Sequence, residues 1–326
     1  MSTARAETET EKVSTVKKPA RRILSVLPKL GLVKKPHFHK DGISFIVPVK
    51  DEEEWIKPCL LSIEDVADEI IVVDSSVEDN TAKIIESLAE SVNKIKHIRL
   101  YHEGPEAFAL SCHIGLVTAR FKWIFKWDAD FVASEKIGIW RKRLESLDED
   151  KYYVIELPRV NLEGDVHHQP RTDPSYGEAA RFAGSEARLF TWSPELRWVL
   201  LVRSRDNNYE RVCGDSIWGN RFPPWYTILS WREPYIFHCN IKNPLRMLTR
   251  LFWSDYQRSG AGFASLEDYT EYRVKNEWHM TMTEAQQKVM HSLEEKLVPY
   301  DESRFGRLPS ILLSAKEKDT TTNAKP

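Results

Sequence analysis

Short apolar runs alternate with amphipathic stretches through the first half of the chain, a pattern typical of strands followed by helices. The runs are rich in β-branched and aromatic residues and predict strands at 43–49, 69–74, 97–101 and 122–127. Apolar residues at helical spacing predict helices over 55–63, from a cap at Asp79, over 106–119 and over 137–147. This alternation predicts a mostly parallel, Rossmann-like sheet with helices on both faces.

The second half is patterned differently. A strand is predicted at 152–157, with shorter ones at 187–191 and 235–238, but the intervening sequence is rich in Pro, Gly, Arg and His and predicts loops draped over the sheet. Asn243-Pro244 opens an amphipathic helix, a last helix is expected at about 284–297, and the final dozen residues are expected to be disordered. We therefore expect a basic flexible tail at 1–40, an α/β domain at 41–240 and a helical extension with a tail at 241–326.

The overall composition limits the classes of function. A hydrophobic content of 41% in 326 residues is enough to bury a core, and a formal net charge of −2 argues against bulk electrostatic binding of nucleic acid. The four cysteines are widely spaced without a CxxC pair, which favours reduced thiols. No apolar run approaches the roughly 20 residues that span a bilayer, and no signal peptide is recognisable. We expect a cytoplasmic protein.

The N-terminal region differs in charge from the rest of the chain. Residues 1–40 carry ten Lys or Arg and three acids, and the stretch RRILSVLPKLGLVKK at 21–35 has basic ends, a leucine-rich middle and no acid. This pattern is typical of a segment that lies at the surface of an anionic membrane. Peripheral contact with the inner face of the membrane is therefore expected through 21–35. The alternative is a basic tail whose leucines pack on the domain.

The candidate chemistry starts with FKWIFKWDADF at 121–131, where an aromatic and aliphatic run ends in Asp128 and Asp130. In open α/β sheets, ligands bind at the C-terminal tips of the strands. Two carboxylates one residue apart on extended backbone point to the same side and can share one hard divalent cation. The pattern suits a metal that holds a diphosphate. Aspartates that start loops or cap helices are the alternative interpretation.

Three blocks of sequence together resemble the family 2 glycosyltransferases. The blocks are ISFIVPVKDEEEWIKPCLLSI, EIIVVDSSVEDNT and FKWIFKWDADF, the last preceded by a helix with a Gly-Leu pair, and they cover roughly 41–140. The resemblance implies a GT-A fold, with a nucleotide-sugar half at 41–150 and an acceptor half at 151–240. It further implies metal-dependent transfer of a hexose, with inversion, from a nucleotide diphosphate sugar, most simply a UDP-sugar, to a saccharide or lipid-linked acceptor.

The resemblance also assigns residues to the donor. It implies that Pro48, Val49 and the turn ending at Glu52 line the nucleoside pocket, and that Asp128 and Asp130 bring Mn²⁺ or Mg²⁺ to the diphosphate, where the metal is a Lewis acid toward the leaving group. Asp130 is then the direct ligand, whereas Asp128 faces the ribose. A buried carboxylate at Asp74 could accept a hydrogen bond from a pyrimidine ring N–H, although a turn-forming aspartate is the alternative.

The sequence departs from the family pattern at three positions of the donor half. Lys50 stands where Asn is common, Phe108 where a basic residue is common and His113 where Asn is common. Base, ribose and phosphate contacts from these positions are therefore not implied. We expect His113 to be a packed or ribose-facing residue and not a catalyst.

Inverting transfer needs a general base for the acceptor hydroxyl. The resemblance points to Asp215 in CGDSIW, with Gly214 in place of an expected Glu; the rivals are Asp206, Glu210 and Glu178. In YIFHCNIKNP it implies that His238 is a late metal ligand and Lys242 a partner of the diphosphate. His238 could instead satisfy a backbone carbonyl.

The remaining candidates are weaker. Four aromatic residues of the second half could stack on a sugar acceptor or simply form core: Trp218, Trp225, Tyr226 and Trp231. Three arginines could bind an anionic acceptor or lie on the solvated surface: Arg171, Arg181 and Arg188. Two other functions stay open: a catalytically degenerate binding or scaffold protein, and a D-x-D phosphatase, which would carry its motif on the first strand. A nucleotidyltransferase would need a glycine-rich loop after the first strand, and Lys50–Glu54 contains no glycine.

Overall fold

The computed structural model describes residues 23–36, 40–102, 107–171, 186–204, 207–214, 222–260 and 262–314. Its strands are β1 (Lys40–Val49), β2 (Glu69–Asp74), β3 (Ile95–Arg99), β4 (Phe121–Lys126), β5 (Phe131–Ala133), β6 (Tyr152–Leu157), β7 (Arg159–Glu163), β8 (His168–Pro170), β9 (Glu186–Thr191), β10 (Leu196–Ser204), β11 (Asn207–Gly214), β12 (Tyr226–Ser230), β13 (Ile236–Asn240) and β14 (Leu297–Pro299). Its helices are α1 (Ile56–Ile63), α2 (Thr81–Ser91), α3 (Ala107–Thr118), α4 (Gly138–Glu145), α5 (Pro244–Ser259), α6 (Leu266–Asn276), α7 (Met282–Glu294) and α8 (Glu302–Phe305).

A seven-stranded sheet with the order β12-β6-β9-β4-β1-β2-β3 forms the centre of the domain. All neighbouring strands pair in parallel except β9, which is antiparallel to both β4 and β6. Helices α1, α2 and α4 pack on the face that carries Phe45 and Phe125, and α3 packs on the face that carries Ile46 and Ile71. The predicted fold class, a mostly parallel α/β sheet covered on both faces, is confirmed.

The sheet has two edges that matter for function. Strand β4 ends next to Asp128, and the strands parallel to it end at the same side, which we call the C-terminal edge. Tyr152 and Tyr226 begin β6 and β12 at the opposite side, the N-terminal edge. Because a six-residue strand is about 20 Å long, the two edges are separated by that distance. Ligands of open α/β sheets bind at the C-terminal edge.

The second half of the chain corrects one expectation from the sequence. Strands β6, β9 and β12 extend the central sheet, and β10 and β11 form an antiparallel hairpin, so this region is not a set of loops draped over the sheet. The reason is that long-range partners, and not local periodicity, decide whether a short segment joins a sheet.

The C-terminal extension is helical, as predicted. Helix α5 begins after Asn243, whose side chain accepts a hydrogen bond from the Arg246 amide at 2.8 Å, and Pro244 occupies the first turn. The sequence did not predict α6. Helices α5, α6 and α7 share a small core of their own, formed by Leu248, Phe252, Tyr269, Val274 and Ala285. Cys59, Cys112 and Cys239 are buried thiols. Within the described residues, none of the helices is long and apolar enough to cross a bilayer.

Candidate active site

Strands β5 and β13 bring the late histidine to the acidic motif. His238 pairs across the ladder with Phe131, and the Cys239 amide donates a hydrogen bond to the Asp130 carbonyl at 2.8 Å. The His238 Nε2 then lies 3.3 Å from Asp130 Oδ2, and Lys242 Nζ lies 3.2 Å from the same oxygen. Two segments more than a hundred residues apart therefore meet at the C-terminal edge of the sheet.

Asp130 is held in its ionised form. Burial alone would raise its pKa, but the hydrogen bonds and charges of His238 and Lys242 outweigh burial and hold the pKa of this carboxyl far below its usual range. A carboxylate that stays charged at any physiological pH is a suitable ligand for a hard cation.

Asn161 fixes the orientation of the histidine ring. Its Oδ1 lies 3.0 Å from His238 Nδ1, and the parallel pairing of β13 with β7 places the two residues side by side. An amide oxygen can only accept, so Nδ1 donates a hydrogen bond to Asn161 and Nε2 is the ring nitrogen that faces Asp130. A metal-binding histidine is usually held in this way by a partner on its other nitrogen.

These residues fit a divalent cation that also binds a diphosphate. Among the residues that the structure describes, no three His, Cys, Asp or Glu side chains are grouped as a metal site. Mg²⁺, however, is usually held by one or two protein ligands, with phosphate oxygens and water completing its shell. Asp130 and His238 are the two residues that would hold it.

Asp128 has a different environment. The Lys126 ammonium contacts its Oδ1, and Arg188 Nη1 lies 2.7 Å from its Oδ2. Burial would raise the pKa of Asp128, but Arg188 and Lys126 lower it. Both carboxylate oxygens are thus occupied by cations, and the metal contact predicted for Asp128 stays a prediction.

The two cations at Asp128 were not assigned to it from the sequence. Lys126 lies two residues before Asp128, so the two side chains share one side of the strand, and this spacing was a usable signal. Arg188 is only 7% exposed and stacks on the Phe131 ring at 4.4 Å, which corrects its default interpretation as a surface residue. Arg171 is exposed.

Glu52 connects the loop after β1 to the C-terminal extension. Its carboxylate lies 2.7 Å from Lys242 Nζ and 2.8 Å from Arg246 Nη2, and Arg246 also donates to the Asp51 carbonyl. Burial raises the pKa of Glu52 despite the opposing charges of Lys242 and Arg246. Pro48 and Val49 are buried at the end of β1, beside Val73 and Asp74 of β2.

Asp74 is fully buried, as expected for a specific carboxylate. Its Oδ1 accepts from the Ser76 amide at 2.8 Å, and its Oδ2 lies 2.9 Å from His97 Nε2 and 2.5 Å from Arg99 Nη1. Burial would raise the pKa of Asp74, but these hydrogen bonds lower it. Arg99 is the solvent-facing member of this cluster. Recognition of a base by Asp74 stays a prediction.

The acidic turn after β1 is tied to the loop after β2. Asp51, at a φ of 52°, accepts hydrogen bonds from the Val77 and Glu78 amides at 2.9 and 3.0 Å. Glu53 accepts from the Asn80 amide at 3.0 Å. These contacts fix both loops at the C-terminal edge, and the run of acids in the sequence does not predict them.

The general base cannot be located among the described side chains. Asp215, Asp206, Glu178, Arg181 and Trp218 lie outside the described residues, and Glu210 is described by its backbone in β11 only. Gly214 pairs with Leu196, which packs beside Tyr152 and Tyr226 at the N-terminal edge of the sheet. The described chain therefore reaches position 214 at the edge opposite to Asp130.

The aromatic residues of the second half are mainly core. Tyr226 is fully buried against Tyr152, and its hydroxyl donates to the Thr191 carbonyl at 2.9 Å. Trp225 and Trp231 pack against the two cores of the sheet. For Tyr226 the platform interpretation is wrong, because no face of its ring is accessible.

His113 is a packed residue, as predicted. Its Nδ1 accepts a hydrogen bond from the Trp198 amide at 3.3 Å, which ties α3 to the hairpin. Burial and the nearby Arg197 lower the pKa of His113.

Comparisons with known proteins place these residues in a family context. The model of "Glycosyl transferase family 2" matches residues 44–221. The poly-beta-1,6-N-acetyl-D-glucosamine synthase of Staphylococcus epidermidis is 31% identical over 147 residues, which are 44% of this chain and 32% of that protein. A TPR repeat-containing protein of Synechococcus elongatus is 23% identical over 197 residues, 60% of this chain and 41% of its own. The chain thus spans about a third of the length of the synthase it matches.

Solved structures are more distant. S. aureus TarS is 14% identical with a TM-score of 0.40, over 78% of this chain and 43% of its own. The mannosyltransferase PcManGT from Pyrobaculum calidifontis, in complex with GDP-Man and Mn²⁺, is 14% identical with a TM-score of 0.40, over 95% of this chain and 90% of its own. Likenesses this remote carry no conclusion about donor or acceptor.

Proposed function

The chain belongs to glycosyl transferase family 2, and from that membership we propose that it transfers a sugar from a nucleotide diphosphate donor to an acceptor hydroxyl, with inversion and with the help of a divalent cation. The observation that supports this most directly is the convergence of Asp130, His238, Lys242 and Glu52 at the C-terminal edge of the sheet. We place the donor half at 41–150, the acceptor half at 151–240 and the extension at 241–326.

Asp130 and His238 are the proposed metal ligands. When bound there, Mn²⁺ or Mg²⁺ supplies Lewis-acid stabilisation of the departing diphosphate. Asp130 is ionised, and because Asn161 binds Nδ1 of His238, Nε2 is the nitrogen that can coordinate the metal. Asp128, which is paired with Lys126 and Arg188, is proposed to lie on the ribose side of the cation.

Lys242 and Arg246 are the proposed partners of the diphosphate. Both are anchored on Glu52, so their positive charges are oriented before the donor arrives. A preorganised cation at the point where negative charge develops is the most effective electrostatic aid to a leaving group. The Lys242 side chain is only 5% exposed, and its charge is therefore weakly screened by water.

The remaining specificity rests on residues assigned by the resemblance. Asp74, with Pro48 and Val49 beside it, is proposed to set the preference for a pyrimidine base and thus for a UDP-sugar. The general base is one of Asp215, Asp206, Glu210 and Glu178. The position of Gly214 at the N-terminal edge does not favour Asp215 over its rivals.

A degenerate binding protein is the second candidate, and one observation favours it. Each acid at the site is already paired with a lysine or arginine of the same chain. Such pairing would compensate the buried carboxylates in a transferase site that no longer binds a metal. Such a protein would bind nucleotide without metal dependence.

A thermal-shift screen separates the two candidates. Nucleoside diphosphates of each base are added with and without Mn²⁺. We expect one nucleotide to raise the melting temperature only when Mn²⁺ is present, because linkage converts binding to the native state into stability. Stabilisation that is equal with and without metal supports the binding protein, and no stabilisation by any nucleotide contradicts the proposed donor site.

A further inference from the structure

The N-terminal segment exposes several large apolar side chains next to one another in sequence. Ile23, Leu30 and Leu32 are 72%, 65% and 71% exposed, and Val26 is also exposed. We call these four residues the N-terminal apolar patch. Single exposed apolar residues are ordinary, but a cluster of them within ten residues marks a surface that has a partner.

The segment that carries the patch is attached to the domain. Lys29 Nζ lies 2.6 Å from Asp148, Lys35 Nζ lies 3.0 Å from Asp150, and the Tyr152 hydroxyl donates to the Lys34 carbonyl at 2.8 Å. Val33 packs against the core beside Tyr152. One side of the segment is thus used for docking, and the patch points away from it. The expectation that the leucines pack on the domain is wrong for Leu30 and Leu32.

The charge around the patch identifies the kind of partner. Residues 12–35 contain eight Lys or Arg and no acid. Two acids of the docking surface, Asp148 and Asp150, are paired with Lys29 and Lys35. The exposed Glu149 between them is outnumbered by the six other basic residues of 12–35. Exposed leucine and isoleucine side chains combined with an unbroken basic stretch match the surface of an anionic bilayer, where apolar insertion and attraction to headgroups act together.

The patch lies at the end of the molecule opposite to the site. Tyr152 begins β6 at the N-terminal edge, whereas Asp130 lies at the C-terminal edge. If the patch bound a bilayer, the site at the opposite end of the molecule would face the aqueous phase. The acceptor would therefore be a soluble or long molecule and not a headgroup of the same bilayer.

We propose that the N-terminal apolar patch binds an anionic lipid surface. This assignment is independent of the transferase proposal, because none of its residues belongs to the site. The test is co-sedimentation of the full chain with vesicles of phosphatidylcholine alone, and with vesicles of equal parts phosphatidylcholine and phosphatidylglycerol. The double variant Leu30→Glu, Leu32→Glu is compared with Leu313→Glu, which changes an exposed leucine at the C-terminal end of the described chain.

We expect binding to the anionic vesicles only, weakened by salt, reduced about tenfold or more in the double variant and unchanged in Leu313→Glu. Circular dichroism confirms that both variants are folded. Equal binding by wild type and double variant, or equal binding to neutral vesicles, overturns the proposal. Sedimentation velocity without lipid tests whether the patch binds a second copy of this chain. A wild-type dimer that the double variant no longer forms would also overturn the proposal.

Discussion

At the scale of single residues, the site is a set of acids that each share cations of the same chain. Lys242 is the most connected of these cations, since its ammonium contacts both Glu52 and Asp130. Removing one partner of a buried ion pair leaves an uncompensated charge, which costs far more than the pair contributes.

Lys242→Met should therefore destabilise the protein by about 3 kcal/mol at neutral pH. The loss should shrink as the pH falls, because burial raises the pKa of Glu52 and protonation removes one of the two carboxylate charges that lose Lys242 as a partner. Urea denaturation at pH 7 and pH 5 measures both effects. Lys57→Met, which changes an exposed lysine of α1, is the control. Equal stability of the two variants would show that the ion pairs of Lys242 do not stabilise the fold.

Asn161 offers a test of the metal assignment that does not touch a ligand. Asn161→Leu removes the acceptor for His238 Nδ1, and we expect the affinity for Mn²⁺, measured by calorimetry with a bound nucleotide, to fall about tenfold to a hundredfold. Asn161→Asp keeps an acceptor at that position and should retain the affinity. If Asn161→Leu binds Mn²⁺ as wild type does, His238 is not a metal ligand.

Prediction of the site from the sequence succeeded for residues in recognisable motifs and failed for the partners that only the fold brings to them. Asp128, Asp130, His238 and Lys242 could be singled out, and the structure brings the last three together. Arg188, Asn161 and Arg246 could not be matched to their partners, because β9, β7 and α5 reach the site through the topology of the sheet. A run of acids does not reveal which cations it pairs with.

At the scale of elements, strong local patterns located the strands. The predicted strands at 69–74 and 152–157 coincide with β2 and β6, whose continuous burial gives an unbroken apolar run. The strand predicted at 97–101 is found two residues earlier, as β3. The hairpin of β10 and β11 was missed, because its pairing partner and not its own periodicity defines it.

The packing of α3 on β1 can be tested at Gly115. A Cβ added there would lie 3.0 Å from the Ile46 Cβ, whereas one added at Gly138 would meet nothing within 4 Å. Gly115→Val should lower the free energy of unfolding by about 2 kcal/mol through overpacking. In Gly115→Ala the gain in helix propensity, up to about 1 kcal/mol, offsets part of the cost. Denaturant titration should show Gly138→Ala to be neutral or slightly stabilised; equal effects at both glycines would contradict the close approach.

At the scale of the whole molecule, burial and pairing of carboxylates set the response to acid. Asp74, Asp128 and Asp130 all have pKa values below the usual 3.8. A carboxyl with a lowered folded-state pKa contributes stability above its unfolded-state pKa and loses it as the pH falls. Glu52, whose pKa is raised, acts in the opposite direction.

With three such aspartates against one glutamate, the free energy of unfolding should decrease as the pH falls from about 5 toward 3. Urea titrations at half-unit intervals of pH provide the measurement. A stability that stays constant or rises across this interval would contradict the ion pairs at the C-terminal edge of the sheet.

In the proposed reaction, Asp130 holds the cation that activates a nucleotide-sugar donor. The test is Mn²⁺-dependent hydrolysis of sugar esters of the nucleoside diphosphate identified by thermal shift, made on wild type, Asp130→Asn and the exposed-residue control Asp41→Asn. We expect wild type and Asp41→Asn to hydrolyse the donor only with metal, and Asp130→Asn to lose about a hundredfold or more of that rate. Equal metal-dependent hydrolysis by Asp130→Asn and wild type would contradict it.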